Sequence, residues 1–336
     1  MARGSVVNVA SLTACLALLL TLPTANASIA LTAAGITDGF SLSSVVSGIP
    51  TNVYGPLGMA IAPSGNLVVD VIGEAGGFRN SVFADVNGQT YANKLSTTGV
   101  IDSFPPAYAT SNGSLWGSGG ASGSSAGKLI KFNNDGTINT VYNIAGLNIQ
   151  YGLWTNPVNG HLIGEGAFGL VDVDVSTATP TFRQINNAPS DGVTVSPDGT
   201  IVYTSQVAGY NIATGALVFG PIFISGADGM GIITSNNALN GNIIVNTNFG
   251  QLIMINPLTQ AQTIIATGGT RGDYTTPDPN GSLLFTQTSE IFRLSCGAGC
   301  AIGGGPSGVP EPSTWLLMSG GLAALLFFGW RRQVQP

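Results

Sequence analysis

The stretch Asp191–Tyr203 reads DGVTVSPDGTIVY, and it contains two short strands separated by a tight turn. The first strand ends at Pro197, because proline has no backbone N–H to donate to a strand ladder. Pro-Asp-Gly is a turn sequence, and the second strand begins after Gly199. The stretch therefore predicts an antiparallel strand pair, and its repetition along the chain decides the fold.

The turn glycine occurs six times. Each copy is followed by an apolar, strand-like run, and successive copies lie 48, 47, 39, 42 and 40 residues apart. A period of about forty residues is typical of propeller blades of four short strands. Between the two ends of the chain no segment has sustained helical periodicity, so we predict an all-β, six-bladed β-propeller. The six glycines are Gly65, Gly113, Gly160, Gly199, Gly241 and Gly281.

A second glycine lies five residues before a proline and marks the inner strand of a repeat. In the fifth repeat Gly229 is present and Thr234 replaces the proline, whereas the second repeat lacks the pair and is the weakest of the six. The apolar residues between the two marks predict a strand that lines the central channel. The pairs are Gly58 and Pro63, Gly152 and Pro157, Gly192 and Pro197, and Gly272 and Pro277.

A propeller closes when a strand from the start of its sequence completes the last blade. The sixth repeat holds three strand-like runs and ends near residue 294, while residues 39–46 form an unassigned run. Pairing the two segments removes a sheet edge. We therefore predict a propeller over residues 28–294, with residues 39–46 as the fourth strand of its last blade. Residues 295–308 are predicted to be a glycine-rich linker.

The linker contains Cys296 and Cys300, in the sequence CGAGC. In an oxidising compartment this pair forms a small disulfide ring or stays as two free thiols. A metal site would need two more soft ligands, and none lies nearby in the sequence.

The fourth repeat resembles the blade consensus of the NHL and SMP-30/gluconolactonase-like six-bladed propellers. The resemblance covers roughly residues 50–294, and it is clear in the first and fourth repeats and weak in the second. It implies the fold, since many functions share this scaffold. In SMP-30-like enzymes acidic and amide side chains from several blades hold a divalent metal at the channel.

The composition excludes one class of function. Residues 28–309 carry 15 acidic and 7 basic side chains, which gives a net charge of −8. Nucleic-acid binding needs a basic face, so we expect no nucleic-acid partner. Charged residues make up only 8% of the chain, so its solubility depends on serine, threonine, asparagine and glycine, as suits an extracellular β protein.

The N-terminus, residues 1–27, has the pattern of an export signal peptide. Arg3 precedes an apolar stretch, and Ala25 and Ala27 are small residues at the first and third positions before the expected cleavage site. An alternative is a lipobox that ends at Cys15, which would then be lipidated.

The C-terminus, residues 309–336, resembles the PEP-CTERM sorting signal of bacterial exported proteins. Pro310, Glu311 and Pro312 precede an apolar run that Arg331 and Arg332 terminate. The run is short for a membrane-spanning helix, and the arginines favour the cytoplasmic side. The resemblance implies an exosortase-type processing enzyme as a transient partner. It also implies an inner-membrane-tethered precursor in a Gram-negative-type bacterium that produces exopolysaccharide, and a final place at the cell surface or in the matrix.

The residue before each inner-strand glycine is expected at the entrance of the channel. These residues include Tyr151, Asp191, Asp228 and Arg271, with Leu57 in the first repeat. Asp191 and Asp228 on adjacent blades form a candidate site for Ca²⁺ or another divalent cation, which prefers oxygen ligands. The alternative is an Asp–Arg network in which Arg271 replaces the cation.

Other polar residues have weaker signals. Glu74 and Glu165 follow second strands and are expected to be solvated loop carboxylates, although a pair of this kind can act as acid and base. Asp172 alternates with valines and is expected on the solvent face of a strand. His161 is the sole histidine of the chain and lies in a blade turn, so it gives no catalytic triad with a supported geometry.

Three functions remain from the sequence. The first is a non-enzymatic envelope or matrix protein that binds extracellular polysaccharide or surface proteins. The second is an SMP-30-like metal-dependent hydrolase or lyase, and the third is a structural surface protein without a small ligand.

Overall fold

The computed structural model describes residues 28–50, 54–72, 78–102, 104 and 106–303. The expected signal peptide, Glu74 and the sorting signal lie outside these residues. Within them the strands form six sheets arranged as the blades of a propeller, which confirms the predicted all-β fold. No helix in this part of the chain is long and apolar enough to cross a membrane.

The described chain begins on the outer side of the propeller. Strand β1 (Ala30–Leu31) pairs with the outermost strand of the fifth blade, and helix α1 (Ala33–Thr37) follows it. The hydroxyl oxygen of Thr32 accepts a hydrogen bond from the Gly35 backbone N–H at 3.1 Å and so caps the helix. Strand β2 (Ser41–Ser47) then crosses to the sixth blade.

The first two blades follow in chain order. Blade 1 consists of β3 (Met59–Ile61), β4 (Asn66–Val71), β5 (Arg79–Ala84) and β7 (Ser96–Thr97), with β6 (Gln89–Thr90) and a 3₁₀ turn (Tyr91–Asn93) inserted after β5. Blade 2 consists of β8 (Tyr108–Ser111), β9 (Ser114–Ser118), β10 (Leu129–Phe132) and β11 (Ile138–Tyr142). The weakest repeat of the sequence is therefore a complete four-stranded blade.

The next two blades are regular four-stranded meanders. Blade 3 consists of β12 (Ile149–Thr155), β13 (Leu162–Gly166), β14 (Gly169–Asp174) and β15 (Thr181–Gln184). Blade 4 consists of β16 (Val193–Val195), β17 (Ile201–Thr204), β18 (Ala208–Asn211) and β19 (Leu217–Phe219).

The last two blades take strands from both ends of the body. Blade 5 consists of β20 (Ala227–Ser235), β21 (Ile243–Thr247), β22 (Leu252–Ile255) and β23 (Gln262–Thr267), with β1 at its outer edge. Blade 6 consists of β24 (Thr275–Pro277), β25 (Leu283–Gln287) and β26 (Glu290–Ser295), with β2 as its fourth strand.

The ring closes through blade 6. Strand β2 pairs antiparallel with β26, in the position expected for residues 39–46, and β6 from blade 1 pairs parallel with β2. Arg293 of β26 donates to Asp278 at 3.1 Å and also pairs with Asp85 and Asn87 from the blade 1 insertion. The closing blade is thus joined to blade 1 by strand pairing and by a largely buried ion-pair network.

The linker was predicted to begin at residue 295, but the chain still pairs with the propeller beyond this point. Strand β27 (Cys300–Ile302) pairs antiparallel with β20, and Ala301 and Ile302 are buried. Cys296 and Cys300 are joined by a disulfide. The chain therefore stays on the propeller through Gly303, because a small apolar strand can pair with the free edge of β20 despite the glycines around it.

Two kinds of glycine explain the repeat. All six turn glycines have a positive φ, between 66° and 89°, a region that side chains with a Cβ rarely adopt. Four inner-strand glycines, Gly58, Gly152, Gly192 and Gly229, instead lie against the next blade. A Cβ at Gly192 would be 2.1 Å from the Asp228 backbone oxygen, and one at Gly58 would be 2.8 Å from that of Pro106. The six inner strands contact one another in a closed ring.

We predict that Gly192→Ala destabilises the protein, because the added methyl group forces neighbouring inner strands apart. Overpacking of this kind typically costs about 1–3 kcal/mol. Urea unfolding followed by tryptophan fluorescence measures the change. Gly99→Ala is the matched control, since a Cβ there meets nothing within 4 Å. Equal stability of the two variants would contradict this explanation of the repeat.

Candidate functional site

A cavity of about 420 Å³ lies at the end of the channel where the inner strands begin. We call it the mouth pocket. Tyr151, Asp191, Asp228 and Arg271 all line it, together with Leu57. Each of these residues precedes an inner-strand glycine, so the common register of the blades brings them together from blades 1, 3, 4, 5 and 6.

Aromatic rings form one wall of the mouth pocket. Tyr54 and Phe104 line the cavity, and their ring centroids are 6.2 Å apart. Phe78 stacks on Phe104 from behind, with centroids 4.7 Å apart and planes inclined by 17°. Tyr151 adds a phenol from blade 3. The pocket thus offers flat apolar surfaces beside its polar groups.

Arg271 is held in place by two contacts. Its Nε donates to Asp273 Oδ1 at 2.6 Å, and its guanidinium carbon lies 4.7 Å from the centroid of the Tyr54 ring. The second contact is a cation–π interaction. An Asp–Arg network was the predicted alternative to a cation site, and an Asp–Arg pair does form at the mouth. The aspartate in this pair is Asp273 rather than Asp191 or Asp228.

The mouth pocket has more carboxyl groups than cationic partners. Burial raises the pKa of Asp228 well above its ordinary value, and the carboxylates of Asp273 and Asp191 raise it further. Partial burial also raises the pKa of Asp191, which keeps one exposed side at the mouth, while Arg271 lowers it. Uncharged or cationic groups are therefore favoured in this pocket, and anionic groups are repelled.

The described residues do not assemble a full metal site. No three His, Cys, Asp or Glu side chains among them are grouped closely enough to hold a metal ion. Asp191 and Asp228 share the cavity, but Leu57 occupies the blade 1 position and gives no oxygen ligand. The resemblance to SMP-30-like enzymes therefore does not extend to a recognisable ligand set in this part of the chain.

Tyr274 forms the floor of the mouth pocket. Its hydroxyl donates to the Tyr108 carbonyl at 2.7 Å and accepts from the Tyr108 N–H at 2.8 Å. Tyr274 belongs to blade 6 and Tyr108 to blade 2, so the side chain reaches across the channel. A second cavity, of about 600 Å³, lies where the inner strands end, and its lining includes Thr110, Thr155 and Pro277.

Two acidic residues that were expected to face solvent are buried. Glu165 lies in β13 with 5% of its surface exposed, and burial raises its pKa to about 8. Asp172 in β14 is 6% exposed, and its carboxylate accepts hydrogen bonds from His161 at 2.8 Å and Arg183 at 2.6 Å. Asp172 was expected on a solvent face, but its carboxylate is paired with His161 and Arg183. Glu165 was expected in a loop, but β13 extends to Gly166 and holds Glu165 within the sheet.

Several pocket residues were missed by the sequence analysis. Asp273 and Asn248 line the pocket together with Tyr54 and Phe104. The signal for Asp273 was its position two residues after Arg271. The others lie in connections between strands, where no repeat marks their position.

No protein with a curated description matches the sequence. Residues 308–333 match the model of the PEP-CTERM protein-sorting motif. The chain therefore carries a PEP-CTERM sorting motif at its C-terminus. This motif implies an exported protein with a membrane-anchored precursor that an exosortase processes.

Solved structures show the same fold. Auxiliary nutrient binding proteins from Bacteroides thetaiotaomicron and Bacteroides ovatus are 11% and 12% identical, with TM-scores of 0.52 and 0.51. Each match covers 76% of this chain and 76% of the other. A gluconolactonase from Xanthomonas campestris is 14% identical with a TM-score of 0.49, over 82% of this chain and 99% of that one. The nutrient-binding proteins support the propeller architecture.

We predict that Glu165→Gln reduces the pH dependence of stability. The pKa of Glu165 is raised in the folded state, so its stabilising effect is complete below about pH 4.5 and is lost as the pH rises towards 8. The slope for one group reaches about 1.4 kcal/mol per pH unit.

Urea unfolding at pH 5 and pH 7 tests this prediction. From pH 5 to pH 7 the free energy of unfolding of the variant should rise relative to that of the original protein. Asp135→Asn is the control, because hydrogen bonds from Thr137 lower the pKa of this surface carboxyl group. If the difference in free energy of unfolding between Glu165→Gln and the original protein is the same at both pH values, Glu165 is not held in its protonated form.

Proposed function

We propose that the protein is an exported, non-enzymatic binding propeller that takes an uncharged glycan residue at the mouth pocket. The observation that carries this proposal is the combination, in one cavity of about 420 Å³, of aromatic rings with carboxyl, amide and guanidinium groups. Sugars present apolar ring faces and a surrounding set of hydroxyl groups. Aromatic side chains pack against the apolar faces of a sugar, and polar side chains form hydrogen bonds with its hydroxyl groups.

The charges of the pocket define the kind of glycan. Among the described lining residues, three carboxyl groups face one guanidinium, and that guanidinium is already hydrogen-bonded to Asp273. A uronic acid or a phosphorylated sugar would place another negative charge beside Asp191 and Asp228. A neutral sugar avoids this repulsion and can donate hydroxyl hydrogen bonds to both carboxylates.

The sorting motif gives this binding a location. The motif implies an exported chain, and extracellular polysaccharide is one of the glycans that such a chain meets. We therefore propose exopolysaccharide as the ligand class, and a place at the cell surface or in the matrix. Surface proteins are the alternative partners.

A metal-dependent hydrolase or lyase is the second candidate function. It is favoured by the shared cavity of Asp191 and Asp228 on adjacent blades. Ca²⁺ prefers six to eight oxygen ligands. The described lining offers three carboxyl groups and the Asn248 amide, but Asp273 is already paired with Arg271, whose positive charge repels a cation. Binding without a chemical step therefore explains the described residues better.

We predict that the purified protein binds uncharged oligosaccharides on a glycan array, and that Asp191→Asn/Asp228→Asn weakens the binding at least tenfold. The loss of one acceptor oxygen from each carboxyl group accounts for this change, at about 0.5–1.5 kcal/mol for each hydrogen bond. Calorimetric titration with the best array ligand measures the affinity. Asp135→Asn, on the outer edge of blade 2, is the control and should bind like the original protein.

Two results would contradict the proposal. The first is the absence of any array binding combined with stoichiometric binding of Ca²⁺, Mg²⁺ or Mn²⁺ that the double variant loses. This result would place the metal-dependent enzyme first. The second is glycan binding that the double variant retains in full, which would locate the ligand elsewhere on the propeller.

A further inference from the structure

Two more cavities lie beside the mouth pocket. The first, of about 670 Å³, shares Tyr151 and Asp191 with the mouth pocket, and the second, of about 390 Å³, shares Glu165 and Pro189 with the first. The three cavities therefore form a continuous row from the channel outwards across blades 3 and 4. We call the two outer cavities the blade groove.

Glu165 connects the two parts of the blade groove. It lines both cavities, only 5% of its surface is exposed, and its Oε2 has no hydrogen-bond partner. A buried carboxyl oxygen without a partner costs free energy, which a ligand hydroxyl can recover. Burial, together with the charge of Asp191, raises the pKa of Glu165 to about 8, so at neutral pH it holds a proton to donate.

The sides of the blade groove are apolar and unusually exposed. Phe223 is 90% exposed and Phe168 is 66% exposed, and each lines one of the two cavities. Pro189 lines both cavities, and Pro221 lines the larger one. Large exposed aromatic side chains beside a partly enclosed groove are typical of a binding surface rather than of a solvated loop.

The described lining of the blade groove contains carboxyl groups but neither lysine nor arginine. An anionic polymer would therefore meet no counter-charge from these side chains. A ligand with flat apolar faces and uncharged hydrogen-bonding groups matches both the exposed rings and the protonated carboxyl group.

We propose that the blade groove is a row of subsites that continues the mouth pocket, and that the ligand is a linear uncharged oligosaccharide rather than a single sugar. The inference rests on the proposed glycan binding at the mouth. Successive sugar rings then lie in the mouth pocket, past Asp191 and against Phe223 in the adjacent cavity, and over Glu165 towards the outer cavity. Glu165 donates a hydrogen bond to a sugar oxygen from the floor of the groove.

Chain length is the variable that tests this proposal. Array ligands of several linkages are each presented as uncharged sugars of one, three and six residues, and Kd is measured by calorimetry for the best series. We expect Kd to fall at least tenfold from one residue to six, which corresponds to about 1.4 kcal/mol. Phe223→Ala should abolish most of this gain and leave the single-sugar Kd unchanged.

Two further variants separate the role of Glu165 from that of the fold. Glu165→Gln keeps a neutral donor and should retain the length dependence, whereas Glu165→Leu should lose it. Binding of the six-residue sugar to the original protein should weaken as the pH rises above about 8, and Glu165→Gln should remove this change. Leu258→Ala is the control, because Leu258 is 92% exposed and lines neither cavity.

The outcomes distinguish the two proposals. Binding that depends on Asp191 and Asp228 but not on chain length would leave the mouth pocket as the site and overturn the groove. A length dependence that Phe223→Ala and Glu165→Leu both leave intact would also overturn it. Absence of glycan binding, with capture of uncharged extended peptides instead, would overturn both proposals.

Discussion

The close approach of neighbouring inner strands around the channel is the constraint on which the rest of the structure depends. A Cβ at Gly192 would lie 2.1 Å from the backbone oxygen of Asp228, so only glycine allows these two blades to meet. The residue before each such glycine is then fixed at the entrance of the channel. The mouth pocket is therefore a consequence of blade packing. The lining residues that precede these glycines occupy equivalent backbone positions in different blades, but their side chains differ.

Two contacts between blades give the channel a floor and help to close the ring. Tyr274 reaches across it from blade 6 to the backbone of Tyr108 in blade 2, and thereby gives the mouth pocket a floor. On the outside, Arg293 joins the closing blade to Asp85, which follows β5 of blade 1. Ligand groups at the mouth therefore meet a preorganised surface, which lowers the entropic cost of binding.

The sequence predicts the features that recur from blade to blade and misses those that occur once. The turn glycines, with their positive φ, are local requirements, and the glycines without room for a Cβ recur because neighbouring blades approach one another in the same way. Both kinds therefore reveal the blades and the positions of Asp191 and Asp228. Glu165 was expected in a loop because no recurring feature shows that β13 extends to Gly166. Tyr54 and Phe104 lie outside the repeating strands, and β27 was taken for a linker because its pairing with β20 uses backbone groups that no side-chain pattern reveals.

A crystal structure of the protein with its strongest array glycan tests the central claim most directly. Our account predicts a sugar ring in the mouth pocket between Tyr54 and the carboxylates of Asp191 and Asp228, with the chain continuing towards Glu165. A glycan bound on an outer blade face, with the mouth pocket occupied by water or by a metal ion, would contradict it.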